Sequence, residues 1–251
     1  MEAFERPTSP LDADYLFRKH YPGGNDHDQQ NHAGGGGGAV AGEHAGFPPR
    51  DSVRDSRAKV DMPEKWVKSV TPDEKTSIHE YTENGSAYYN TVLRGSGQFQ
   101  DDQRAAATVD RLNSLIDRAG EARARVLYRG VRLLPSGVNY APGSQGLRDR
   151  ERFVTQFEQN IGKTVRLKGF QSTTTDSRAA QDFAGHPENP IFEIKSRRGA
   201  PIGTLSAHPG EQEVLLGHNW KYRVLSVDRS VRFKSRAGKV STRTVIRMEA
   251  L

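Results

Sequence analysis

The feature that most constrains this chain is a change of hydrophobic period near residue 125. Upstream, apolar residues recur every three to four positions, whereas downstream they fall into short strand-like runs punctuated by glycine and proline. Over 101–119, Ala105, Val109, Leu112, Leu115 and Ile116 trace one stripe of a helix that Gly120 stops. Thr71-Pro72-Asp73-Glu74 predicts another helix start, with Thr71 as N-cap, Pro72 at the first helical position and Glu74 closing a capping box. Ile78 and Tyr81 form the inner face of that helix, Gly85 is expected to end it, and 86–94 supplies a further one. Beyond Arg125, strands are expected at 126–133, 164–175, 190–195, 211–216, 222–227 and 242–248, with short helices at 149–160 and 177–184. Helices first and strands afterwards predict an α+β fold, in which an N-terminal helical segment packs on a mixed, mostly antiparallel two-sheet β core.

The chain has 251 residues, enough for one domain and an appendage. Only 34% of them are hydrophobic, so part of the chain stays outside any core. Residues 1–57 are expected to be that part, a disordered arm rich in Gly, His, Asp and Asn with an unbroken run from Gly34 to Gly38. Residues 58–251 form the folded domain, divided into a helical part, 58–125, and the β core, 126–251. His20, His27, His32 and His44 lie in the arm at spacings that match no closed ligand set, so no metal site is expected. The absence of cysteine excludes disulfides and thiolate metal sites. No apolar run approaches the length of a membrane span, and Met1-Glu2-Ala3-Phe4-Glu5-Arg6 lacks the basic-then-apolar pattern of a secretory leader.

The net charge of +6 favours anionic partners. Arg123, Arg125, Arg197, Arg198, Lys234, Arg236, Lys239 and Arg243 are nevertheless mingled with acids and have little aromatic interleaving, so they match no nucleic-acid-binding module.

Three segments carry the chemistry. In Gly210-Glu211-Gln212-Glu213-Val214-Leu215-Leu216, strand alternation would project Glu211 and Glu213 side by side where the chain enters a core. Val126-Leu127-Tyr128-Arg129-Gly130-Val131 is an apolar strand interrupted by one arginine, and its glycine admits a ligand or another backbone at close range. Lys168-Gly169-Phe170-Gln171-Ser172-Thr173-Thr174-Thr175 becomes hydroxyl-rich just before Asp176 caps a helix. Each segment has an ordinary alternative: a solvated Glu-x-Glu, a strand-end ion pair, and a threonine strand chosen for β propensity.

The order Tyr-Arg-Gly, then Phe-Gln-Ser-Thr-Thr, then Glu-Gln-Glu-Val-Leu-Leu resembles the Arg/Ser-Thr-Ser/Glu-x-Glu signature of arginine-type mono-ADP-ribosyltransferases. Ser77 to Thr82 and Tyr89 to Arg94 resemble the helical segment that precedes the arginine strand in the toxins of that group. The resemblance implies a cleft for NAD as substrate, transfer of ADP-ribose to an arginine of a target protein, and release of nicotinamide. It assigns Glu213 to the nicotinamide ribose, Glu211 to the incoming guanidinium and Ser172 to holding Glu213. Arg129 and Gly130 face the dinucleotide, Thr173 and Thr174 line the cleft, and Phe183 either stacks on nicotinamide or belongs to the core. Residues 203–210 then form the loop that meets the target protein, with His208 exposed on it.

The resemblance also leaves alternatives open: an NAD glycohydrolase with water as acceptor, a virion-associated protein without turnover, or use of NAD-bearing RNA as donor. Within the arm, Lys19 to Gly34 resembles a His-Asp-Gln-x-x-His-Gly element of tailed-phage head proteins. That implies a phage or prophage origin, and action in the cytoplasm of a bacterial host or in association with a virion.

Overall fold

The computed structural model describes residues 64–94, 102–136, 138–234, 238 and 240–251. The expected arm 1–57 with its histidines lies outside the described residues, as do Arg236, Lys239 and the side chain of Arg123. No helix among the described residues is long and apolar enough to cross a membrane.

The helical segment comprises α1 (Glu64–Ser69), α2 (Pro72–Glu80), a π turn (Tyr81–Gly85), α3 (Ser86–Leu93) and α4 (Gln103–Ala119). The capping box of α2 forms as its sequence predicts: Glu74 N donates to Thr71 Oγ1 at 3.3 Å, and Thr71 N donates to Glu74 Oε2 at 2.8 Å. The stripe on α4 is buried as expected. Gly85, however, ends nothing. Its backbone is right-handed helical, and the chain passes through the π turn directly into α3. A helical glycine without a left-handed cap costs only propensity, so the continuation is physically open to it.

The remainder runs β1 (Glu121–Gly130), α5 (Gln145–Glu158), β2 (Thr164–Arg166), β3 (Gln171–Thr174), α6 (Ser177–Ala184), β4 (Ile191–Arg198) and β5 (Ala200–Pro201). Two 3-10 turns (Gly203–Leu205, Pro209–Glu211) then lead to β6 (Glu213–Leu216), β7 (Lys221–Lys234) and β8 (Val240–Ala250). The first strand starts at Glu121, before the apolar run that signals it, because Glu121 finds a partner in Arg198 of β4 across a register shift. The expected strand 164–175 is split. β2 pairs with β7 and β3 with β6, while Phe170 N leaves the ladder and donates to Asn90 Oδ1 of α3 at 2.8 Å.

Eight strands lie in the order β2-β7-β8-β4-β1-β3-β6-β5, and every pairing is antiparallel except β4 with β8. The two-sheet character survives within this order. β1 and β3 share one registered pair, Tyr128 with Thr174, so a five-strand half and a three-strand half meet at a thin seam. α5 covers the larger half with Phe153 and Phe157 against Phe192, Ile194, Val224 and Met248. The helical segment covers the smaller half, with Ile78, Leu112 and Leu115 clustered with Phe170, Ile202 and Leu215.

α6 packs so closely on β1 that a Cβ at Gly130 would lie 2.3 Å from both Ala180 O and Ala184 N. The missing side chain of Gly130 therefore serves helix packing, although the residue also borders the cleft described below. Gly130→Ala is expected to destabilise the fold by about 2–3 kcal/mol. Denaturant unfolding should show a lower midpoint at unchanged slope.

Candidate active site

A cleft of about 840 Å³ opens where the helical segment, the β1/β3 seam and the turn before β6 converge. Its walls include Tyr81, Asn90, Arg94, Arg129, Ser172, Thr174, Phe183, His208, Glu211 and Glu213. That volume is within the range of ligand sites.

Glu213 is the first residue of β6 and is 7% exposed. It registers opposite Thr174, which places Ser172, two residues back along β3, on the same face, and the Ser172 hydroxyl hydrogen-bonds its carboxylate. Ser172 in turn meets Tyr81 Oη at 3.2 Å, and Asn90 Nδ2 donates to Tyr81 Oη at 3.4 Å. An amide N–H can only donate and a carboxylate can only accept. With Glu213 ionised the polarity of the chain is thereby fixed, each group donating to the next from Asn90 through Tyr81 and Ser172 to Glu213. A second hydroxyl, that of Ser206, donates to Glu213 Oε2 at 3.4 Å.

Burial pushes the Glu213 carboxyl up to about 7; the Ser172 hydrogen bond opposes the rise, and the nearby charge of Glu211 adds to it. An acid that titrates near neutrality inside a cleft is a mark of a functional position.

The strand expected to carry both acids carries only the second. Glu211 closes the 3-10 turn Pro209–Glu211, and Gln212 takes a left-handed backbone (φ 50°, ψ 49°) before β6 begins. Pro209 and Gly210 favour a turn there. Two hydrogen bonds then fix it, Glu211 N to His208 O at 3.1 Å and Thr174 Oγ1 to Glu211 O at 2.6 Å. Alternation therefore does not place the pair side by side, but the kink at Gln212 still leaves both acids on one cleft. A glutamine held in this region stores about 1–3 kcal/mol of strain, which the surrounding contacts must offset.

Arg129 sits on β1 at the seam, where its Nη1 donates to Ser172 O at 2.9 Å. The backbone ladder offers a single pair at this place, so the guanidinium supplies a cross-link between the two halves. Desolvation lowers its pKa, but an arginine retains its proton regardless.

Thr173 and Thr174 both border the cleft, yet their hydroxyls are engaged with backbone. Thr173 Oγ1 donates to Val214 O at 2.5 Å, while Thr174 Oγ1 donates to Glu211 O and accepts from Asp176 N at 3.0 Å. Phe183 is 38% exposed and lies on the cleft wall, not in the core. Its carbonyl accepts from Arg132 Nε at 2.6 Å, which fastens the end of α6 to the segment after β1. His208 is on the turn and borders the cleft.

Asn90, Arg94 and Ser206 are site residues that the sequence did not point to, and Tyr81 is there for more than its apolar face. Asn90 lies nine positions after Tyr81. In an unbroken α-helix that is about two and a half turns, which points the two residues to opposite sides. The intervening π turn changes the phase and brings Asn90 Nδ2 within 3.4 Å of Tyr81 Oη. A polar Asn beside Tyr89 in an otherwise packing helix was the available signal. Among the described residues no group of His, Asp or Glu side chains is arranged to hold a metal ion.

The chain is 24% identical over 178 residues to the NAD(+)–arginine ADP-ribosyltransferase EFV of Enterococcus faecalis, covering 67% of this chain and 32% of that protein. It thus spans about a third of the length of that curated relative. Among solved structures, Plx2a, an ADP-ribosyltransferase toxin from Paenibacillus larvae, superimposes with a TM-score of 0.55 at 20% identity, covering 74% of this chain and 90% of that one. The ADP-ribosylating toxin BECa of C. perfringens, solved with NADH, gives 0.56 at 20% identity over 74% of this chain and 45% of that one. These likenesses establish a shared fold. The model of the ADP-ribosyltransferase exoenzyme family matches residues 60–250, so the match runs through the helical segment and the whole β core with its cleft, and the chain belongs to that family.

Proposed function

We propose that this chain is an NAD-dependent arginine mono-ADP-ribosyltransferase. The observation that carries the reading is Glu213: a buried carboxylate braced by Ser172, sharing one cleft with Arg129 and a second acid. The relative EFV, named for NAD and arginine, and the toxin BECa, solved with NADH, support the same donor and acceptor.

In the reaction, the bond between the ribose anomeric carbon and the nicotinamide nitrogen breaks, and neutral nicotinamide leaves with the electron pair. The ribose becomes oxocarbenium-like. A carboxylate fixed beside it is worth more in that state than in the ground state, which is the condition for lowering a barrier. Glu213 fills this role, and the chain from Asn90 to Ser172 holds it without reorganisation during the step. A guanidinium nitrogen of the acceptor then bonds to the anomeric carbon and gives up a proton, which Glu211 accepts at the cleft mouth. Arg129 offers cationic donors to the dinucleotide's pyrophosphate or nicotinamide ribose. Phe183 presents a ring for the nicotinamide to stack on, while Thr173 and Thr174 act as braces of the strand and of the turn bearing Glu211. If water takes the place of the guanidinium, Glu213 and its braces break the same bond and NAD is hydrolysed, with Glu211 dispensable.

The roles of the two acids separate by substitution. Glu211→Gln is expected to lower transfer to an arginine-rich peptide by about 10²-fold, the usual worth of a general base. Nicotinamide release without acceptor should stay within a few-fold of wild type. Transfer and hydrolysis both remaining at wild-type rates would remove Glu211 from the mechanism.

A further inference from the structure

We propose that Ser206 is a positioning residue of this reaction, tying the Glu213 carboxylate to the turn that carries Glu211 so that the two acids keep a fixed relation. The inference rests on the functional reading above and adds a residue to it.

Ser206 follows the first 3-10 turn and is 5% exposed. Its hydroxyl donates to Glu213 Oε2 at 3.4 Å and accepts from His208 N at 3.1 Å. Its own amide donates to Ile202 O at 2.8 Å, and Ile202 N donates to Glu213 O at 3.0 Å. Residues 202–208 therefore make a closed circuit, leaving from the backbone of Glu213 and returning to its side chain. From His208 the path continues to Glu211, whose amide donates to His208 O at 3.1 Å.

The next residue anchors the circuit to the helical segment. Ala207 N donates to Thr82 Oγ1 of the π turn at 2.9 Å, and the Thr82 hydroxyl is itself oriented by donation to Ile78 O at 2.8 Å. The turn is thus pinned at Thr82 on one side and at the Glu213 carboxylate on the other.

A serine hydroxyl has a single hydrogen and two lone pairs. Aimed at the carboxylate, it leaves its lone pairs for His208 N, and both bonds strengthen when Glu213 is ionised. Ser172 also holds Glu213, but its hydrogen-bond chain leads away to Tyr81 and Asn90. Thr174 ties the Glu211 carbonyl to the strand opposite Glu213, but the link that starts at the Glu213 carboxylate itself and leads toward Glu211 runs through Ser206.

The charged and titratable groups that share the cleft with Glu213 come from several elements: Tyr128 and Arg129 from β1, Arg132 just after it, Tyr81 and Glu83 from the π turn, Arg94 from the end of α3, and Glu211 and His208 from the turn itself. Replacing Ser206 changes none of these charges, so any change in the titration of Glu213 traces to the lost donor.

The test uses the full chain and its Ser206→Ala and Ser206→Thr variants. The carboxyl of Glu213 is titrated by carbon NMR on protein labelled at glutamate carboxyl carbons, its signal assigned by disappearance in Glu213→Gln. Loss of a donor to the ionised form is expected to raise the midpoint in Ser206→Ala by about 0.5–1 pH unit. In parallel, the ratio of transfer onto agmatine to NAD hydrolysis should fall about tenfold, the worth of one hydrogen bond to a charged group. Ser206→Thr keeps the hydroxyl and should restore both. An Ala variant with a wild-type midpoint and a wild-type ratio that loses only thermal stability would overturn the proposal, because a merely structural serine behaves that way. Should the wild-type chain neither hydrolyse NAD nor modify agmatine, the functional reading fails on its own, and the NMR midpoint alone decides whether Ser206 holds Glu213.

Discussion

Glu213→Gln is expected to lower the rate of nicotinamide release and of ADP-ribose transfer by about 10²–10³-fold, with little change in NAD affinity. The size follows from removing one preorganised charge aimed at a cation that exists only in the transition state. Because the charge matters little to the ground state, the loss should fall on kcat and kcat/KM together and leave KM nearly intact. Glutamine is close in shape to glutamate, and the hydroxyls of Ser172 and Ser206 can still donate to its carbonyl oxygen. Steady-state kinetics with NAD, in the presence and absence of an arginine-rich acceptor, measure it directly. The wild-type pH profile supplies a companion check. The ionised carboxylate is the working form and the carboxyl titrates at about 7, so kcat/KM should climb as pH rises through that value and level off above it. The residual activity of the Gln variant should lack this limb. A variant retaining more than a tenth of wild-type kcat would show that the developing charge is stabilised elsewhere.

The same substitution is expected to stabilise the fold at alkaline pH. Burial raises the Glu213 carboxyl from 4.5 to about 7, so folding disfavours its ionised form. Below the lower value the group is neutral in both folded and unfolded chains and costs nothing. As pH rises between the two values the unfolded chain releases its proton first, and stability declines until the folded carboxyl also ionises. The accumulated penalty is about 3 kcal/mol at 1.36 kcal/mol per unit. The glutamine of the variant does not titrate, so wild type and variant should converge near pH 4.5 and diverge steadily up to pH 7. For a domain of this size the gap corresponds to roughly 5–10 °C in Tm at pH 8. Thermal unfolding of both proteins across that window tests it. Equal midpoints at pH 8 would mean that the buried carboxylate is fully compensated by its neighbours.

Where local chemistry decides the structure, the sequence was readable in detail. The capping box at Thr71, the stripe on α4, and α6 beginning directly after Asp176 all depend on residues within one or two turns of each other. Arg129, Ser172 and Glu213, whose motifs stand in order along the chain, come together on one cleft as that order suggested. What escaped prediction depends on contacts that no local pattern encodes. Gln212 is left-handed although nothing in its own chemistry asks for it; Pro209 and Gly210 announced a turn but not that the turn would swallow Glu211. Gly85 reads as a stop signal, and only the packing of Tyr81 and Tyr89 around the π turn shows why the helix continues. Asn90 is buried at 5% exposure and matched to Phe170 across 80 positions of sequence, a pairing visible only after folding.

The thin join between β1 and β3 makes Arg129 a fastener as well as a cation on the cleft wall. Survey methods that score every substitution for cellular abundance should therefore flag Arg129 alongside apolar interior positions, whereas Glu211 should be silent in such a screen and conspicuous only when turnover is selected. Engineers seeking a catalytically dead but well-expressed version of this fold should accordingly leave the arginine alone and alter the acids.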